Sequence, residues 1–237
     1  MEDDQGLTKI HVLDPNPGGT PVVLLLHGLG ATAESWTLQL ATLIEAGYRP
    51  LAPDLPGFGL TPYDGQGWSF SRIASLLDDQ IRWLGIETCH LVGLSMGGVI
   101  AQQYCYQFPT KVMKLMLVST FSFFRPGNPS EWFYFFSRVL ALSIIGLPAQ
   151  AEVVAQRVFP HPEQDSLRAL LINAICSADP RAYKAAMRSL LRFDSRGWLL
   201  KIQQPTLIVS GSLDTTISPQ KQAELVKRIP GSRQIIL

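Results

Sequence analysis

The sequence predicts an α/β fold: a mostly parallel sheet with helices on both faces and a helical cap inserted partway along the chain. Three observations predict it. Short apolar runs alternate with helical periodicities over most of the chain. One of these units, Leu91-Val92-Gly93-Leu94-Ser95-Met96-Gly97-Gly98-Val99, reads as strand, tight turn and helix around the pattern Gly-x-Ser-x-Gly. The alternation is then suspended from Phe121 to about Lys201, a stretch of helical periods and dense aromatics, before it resumes. The expected organisation is residues 1–120 as the first part of the core, 121–201 as the cap and 202–237 as the second part.

Composition bounds the function classes. The chain has 237 residues, 46% of them hydrophobic, enough for one large domain or a domain carrying an insertion. A net charge of +1 gives no support for nucleic acid or an anionic membrane as a partner. The three cysteines, Cys89, Cys105 and Cys176, have neither metal spacing nor a disulfide framework, which fits a reducing, cytoplasmic setting. The acidic start, Met1-Glu2-Asp3-Asp4, is the reverse of a signal peptide, and the apolar stretches are too interrupted for stable membrane insertion. No dinucleotide fingerprint, Walker loop or metal-ligand cluster stands in the sequence, so no cofactor is expected.

Each element has its own signal. Thr8 to Leu13 reads as a strand, closed by the turn cluster Asp14-Pro15-Asn16-Pro17-Gly18-Gly19. Pro21 to Leu26 is continuously apolar, as in a strand buried on both faces, and ends in His27-Gly28-Leu29-Gly30. Ala33 to Ala46 is helical, with Trp36, Leu40, Leu43 and Ile44 on one face and Gly47 at its end. Arg49 to Pro53 is a short strand before Asp54-Leu55-Pro56-Gly57-Phe58-Gly59. Ser69 opens a helix to about Leu84. Cys89 to Val92 is the strand before the serine turn, Val99 to Phe108 the helix after it, and Lys111 to Ser119 the next strand.

The inserted stretch has helical segments at about Pro129–Ile145, Gln150–Phe159, Glu163–Ser177 and Pro180–Phe193. Phe121, Phe123, Phe124, Trp132, Phe133, Tyr134, Phe135 and Phe136 crowd its start. Consecutive aromatics cannot all face one core, so some face a pocket or the surface. Its cations, Arg125, Arg138, Arg157, Arg168, Arg181, Lys184, Arg188 and Arg192, read as polar helix faces, one of which is a candidate for binding a substrate carboxylate. Pro205 to Ser210 is again a strand, Pro219 to Ile229 a helix and Arg233 to Leu237 the start of a strand.

The glycine-flanked turn has a chemical reading. A serine on so sharp a turn is held clear of the sheet, beside a helix N-terminus whose free N–H groups favour developing negative charge. With these motifs in their order, the chain resembles the α/β-hydrolase superfamily, in its lidded serine esterase, lactonase and C–C-hydrolase branch. The resemblance implies an acyl-enzyme on Ser95, oxyanion donors at the backbone N–H groups of Leu29 and Met96, site support from His27 and Gly28, and Asp214 as the triad acid. It implies a small apolar acyl substrate. Dehalogenases and epoxide hydrolases of this fold carry Asp at the turn, so Ser95 speaks against both; thioesterases and C–C hydrolases keep Ser.

The triad order in this fold is Ser, Asp, His, yet no histidine follows Asp214. The four are His11, His27, His90 and His161. His11 reads as surface or structural and His27 as bonded to backbone. His90 lies several residues below Ser95 on the same strand, at about 3.3 Å per residue. His161, between two prolines in the cap, is the outside candidate. Because the chain stops within the apolar run Gln234-Ile235-Ile236-Leu237, the first expectation is a truncated C-terminal strand and helix; a non-catalytic binding protein and a base from His161 are the alternatives. On the first expectation, little or no esterase activity is expected of these residues alone.

Overall fold

The structure, a computed structural model, describes residues 10–124 and 129–237. Arg125 and residues 1–9, including the start of the first expected strand, lie outside the described residues, as do the side chains of Tyr134 and Phe135.

Seven strands form one sheet: β1 (Val12–Leu13), β2 (Val22–Leu26), β3 (Arg49–Pro53), β4 (Cys89–Leu94), β5 (Val112–Val118), β6 (Thr206–Ser210) and β7 (Arg233–Ile236). Their order is β1-β3-β2-β4-β5-β6-β7. β1 pairs antiparallel with β3, and every other pair is parallel. β2 is buried along its whole length, as its unbroken apolar run requires. In register, Leu94 of β4 faces Val118 of β5, and Val118 faces Val209 of β6. The C-terminal ends of these strands therefore stand side by side, and the loops that follow them share one edge of the sheet.

Alternate strand residues divide the core. Leu24, Leu26, Leu91, Leu115, Leu117 and Ile208 face α2 (Phe70–Trp83), α3 (Met96–Gln107) and α8 (Pro219–Val226). Val23 and Leu25 face the other way, toward Trp36 and Leu40 and Leu43 of α1 (Thr37–Glu45). The helix expected from Ala33 begins as a 3₁₀ turn, Ala33–Trp36, and becomes α-helical at Thr37. α2 starts where Ser69 caps it by accepting from the Arg72 N–H, and its Ile73, Leu77 and Ile81 are buried. Each such side chain contributes roughly 1.5–3 kcal/mol of burial. α3 starts at Met96, three residues before the sequence suggests, because the serine turn itself occupies one residue.

Between β5 and β6 lie α4 (Pro129–Leu140), a π-helical turn at Ala141–Ile145, α5 (Leu147–Val158), α6 (Asp165–Ser177) and α7 (Pro180–Arg192). The single helix expected over Pro129–Ile145 is divided into α4 and the π-turn. α7 is capped by Asp179, whose carboxylate accepts from the Arg181 and Ala182 N–H groups. This segment rests on the loop after β3. The Asp179 N–H donates to the Gly57 carbonyl at 2.9 Å, and a Cβ on Gly57 would lie 2.1 Å from that of Ala182. Among the described residues no helix is long and apolar enough to cross a membrane.

Candidate active site

Ser95 occupies φ 52°, ψ −113°, a conformation that L-residues reach only under constraint. The surroundings supply that constraint. The Ser95 N–H donates to the Val118 carbonyl at 2.9 Å. Its own carbonyl accepts from the Gly98 N–H (2.9 Å), the Val99 N–H (3.2 Å) and the Thr120 hydroxyl (2.8 Å). The flanking glycines are steric necessities. A Cβ on Gly97 would lie 2.1 Å from the Leu26 carbonyl oxygen, and one on Gly93 would lie 2.3 Å from the Gly97 oxygen. α3 can thus approach the ends of β2 and β4 only with hydrogen at these two positions.

The loop after β2 passes over the serine. A Cβ on Gly28 would stand 3.6 Å from the Ser95 Cβ, an ordinary contact. His27, fully buried beneath it, accepts from the Leu55 N–H at Nε2 (3.0 Å) and donates from Nδ1 to the Gly28 carbonyl (2.8 Å). Burial pushes the imidazole pKa down from 6.5 to about 4, against the opposing pull of the Gly28 carbonyl and the Asp54 charge. The ring is therefore neutral at pH 7 and serves as a fixed hydrogen-bonding bracket. Among the described residues neither the Leu29 nor the Met96 N–H is donated to another backbone group outside a helix or strand. Leu29 faces the cavity, while the Met96 side chain is buried in the core.

Asp214 stands in the loop after β6. Its Oδ1 accepts from the Thr216 and Ile217 N–H groups, both at 2.8 Å, which anchors that oxygen to the turn. Ser95 and Asp214 line one cavity of about 1310 Å³, together with Gly28, Leu29 and Ser119. Its walls are mainly apolar: Phe121, Phe123 and Phe124 from the expected aromatic stretch, Val154, Leu171 and Leu190 from the helices after β5. Trp132, Phe133 and Phe136 point to solvent instead. Of the cations named from sequence, Arg138 and Arg157 reach the cavity. Among the described residues no group of three or more His, Cys, Asp or Glu is arranged to hold a metal.

The sequence model of the alpha/beta hydrolase family matches residues 23–236. This chain belongs to the α/β-hydrolase family. Its sequence is 29% identical over 228 residues to a pimeloyl-[acyl-carrier protein] methyl ester esterase of Aeromonas salmonicida, covering 93% of this chain and 87% of that one. An esterase from Exiguobacterium antarcticum superposes with a TM-score of 0.86 at 26% identity, over 97% of this chain and 87% of that one. The enol-lactonase of Burkholderia xenovorans LB400 superposes with a TM-score of 0.84 at 23% identity, over 97% and 87%, a likeness of fold.

The four histidines of this α/β hydrolase all lie off the cavity wall. His11 Nδ1 is 2.8 Å from the buried Asp54 carboxylate. His90, on β4, packs edge-on against Tyr48, its pKa lowered by burial and by Lys114. His161 is exposed, although its neighbours Phe159 and Pro160 line the cavity. Two supports escaped sequence reasoning. Asp54 binds the Ala33 N–H (2.7 Å) and the Leu60 N–H (2.9 Å), tying the loops after β2 and β3 together. Its signal was Gly59: a Cβ there would lie 2.3 Å from the carboxylate. Thr120, in the loop after β5, braces the Ser95 carbonyl through its hydroxyl.

Proposed function

We propose that this chain is the framework of a serine hydrolase acting on a carboxylic ester, lactone or related apolar acyl compound. The observation that carries the reading is Ser95 at φ 52°, held at the floor of an apolar cavity that Asp214 also lines. In this reading the Ser95 hydroxyl attacks the acyl carbon to give a covalent acyl-enzyme. The oxyanion faces the Leu29 and Met96 N–H groups, each worth about 10²–10³ in turnover by the general behaviour of such donors. The helices of residues 121–201 act as a cap that supplies the apolar wall and excludes water. Asp214 orients a base. Among the described residues no histidine lines the cavity, and a serine without one is a weak nucleophile, so residues 1–237 alone turn esters over slowly or not at all. A second reading is a non-catalytic protein that binds an acyl ligand in this apolar cavity.

The test uses p-nitrophenyl butyrate with and without added imidazole, a diffusible base. Without imidazole, p-nitrophenol release should match that of Ser95→Ala; Ser95-dependent turnover there would show that a base is already present. With imidazole, a Ser95-dependent burst is expected. Its absence would leave the binding reading in place of the hydrolase.

A further inference from the structure

Among the described residues only two non-glycine positions have positive φ: Ser95 at 52° and Ser119 at 45°. They follow directly on Leu94 and Val118, which are paired across β4 and β5. Both line the cavity. Ser119, like Ser95, is clamped through its backbone: its N–H donates to the Val209 carbonyl at 3.0 Å. Its hydroxyl makes no hydrogen bond among the described residues. The fold therefore holds a second serine in an unfavourable conformation, at the cavity floor, whose hydroxyl has no partner among the described residues. Backbone strain of this kind persists only where surrounding structure enforces it, and it gathers at ligand sites.

Sheet order gives Ser119 a side. Along the edge the loops run β2 (Gly28–Leu29), β4 (Ser95), β5 (Ser119) and β6 (Asp214), in steps of about 4.8 Å between neighbouring strands. Resting on the acyl-transfer reading above, the carbonyl oxygen of a bound acyl group turns toward Leu29 and Met96. Of the two other substituents on the acyl carbon, the apolar chain and the leaving group, only the leaving group carries a heteroatom that a hydroxyl on the Asp214 side of Ser95 can bond. We propose that Ser119 is a substrate-contacting residue whose hydroxyl hydrogen-bonds the leaving-group heteroatom of the acyl substrate. A hydroxyl both donates and accepts, so it suits an ester oxygen and an amide N–H alike.

A pair of uncleaved probes isolates this contact. Octanamide carries a heteroatom on the alcohol side; 2-nonanone has the same carbonyl and apolar chain with a methyl group there. Calorimetric titration of the full 237-residue chain should show both binding. Ser119→Ala should weaken octanamide about fivefold, the worth of one hydrogen bond, and leave 2-nonanone unchanged. Ser119→Gly should weaken octanamide equally while leaving Tm the same or a few degrees higher, because glycine relieves the positive φ. Equal loss for both probes, or loss for neither, would overturn the Ser119 contact while the cavity reading stands. A lowered Tm in Ser119→Gly would make the residue structural and overturn it too. If neither probe binds the unsubstituted chain, the acyl-binding reading falls and takes the Ser119 contact with it.

Discussion

The two halves of the site are held by different means. On the nucleophile side the main supports reach in from other strands and loops of the core. Ser95 is fixed by Val118 and Thr120, and the loop above it by His27 and Asp54, which bridge to Leu55, Ala33 and Leu60. On the acid side the carboxylate is held by a local turn, Asp214 accepting from Thr216 and Ile217, at an exposed loop whose ties to the rest of the chain include Arg157 with Thr215 and Ser212 with Leu237; Leu213 beside it is 86% exposed. The orientation of the serine is thus a property of the core, and that of the acid mainly a property of the turn from Asp214 to Ile217. Substitutions on the first side should cost the fold; those on the second should cost chemistry while sparing it.

The sharpest contrast is between two glycines. Gly97→Ala places a Cβ 2.1 Å from a backbone oxygen that cannot swing away, so β2 and α3 must separate. We expect a loss of about 3 kcal/mol or more, read as a drop in the urea midpoint. Gly211→Ala, at the mouth of the acid loop, places its Cβ 3.7 Å from that of Asp214, an ordinary contact. It should change stability by no more than about 0.5 kcal/mol. Similar losses for the two would erase the distinction between the halves.

Acid should find the buried half first. His27 has its pKa lowered to about 4 in the fold, against 6.5 for the ordinary side chain, because burial disfavours the cation. Between these values the unfolded chain binds the proton and the folded chain does not. Stability from this group is therefore complete above pH 6.5 and falls as pH drops toward 4, by about 3 kcal/mol in all. Urea midpoints measured from pH 7 to 4.5 should decline in the parent and decline less steeply in His27→Asn, which keeps a polar side chain without a titrating ring. An identical slope would place the acid-labile group elsewhere.

The same division explains what was legible. The sheet, its helices and the serine turn are written in local patterns: five apolar residues in β2, Ser69 before α2, three glycines around Ser95. Steric demands at Gly93 and Gly97 leave a direct trace, because a missing side chain is visible in sequence. Contacts between distant residues leave none of their own. Thr120 and Asp54 brace the site from other loops, and nothing in their immediate sequence names Ser95 or Ala33 as the partner. The division of the aromatic stretch was equally hidden. Phe123 and Phe124 turn to the cavity and Phe133 and Phe136 to solvent, which depends on where the chain leaves β5 and on the phase of α4.

The smallest expected effect tests the acid half directly. Asp214→Asn keeps an oxygen for the Thr216 and Ile217 N–H groups, so the turn survives and stability should stay within about 0.5 kcal/mol of the parent. Asp214→Ala removes both acceptors and should cost about 1–2 kcal/mol. In both variants the imidazole-dependent burst should fall, because neither retains a carboxylate to orient a base. If Asn were as destabilising as Ala, the negative charge would be holding the loop, and the acid would then be a structural anion first. If Asn keeps both stability and the full burst, Asp214 holds its turn and takes no part in the chemistry.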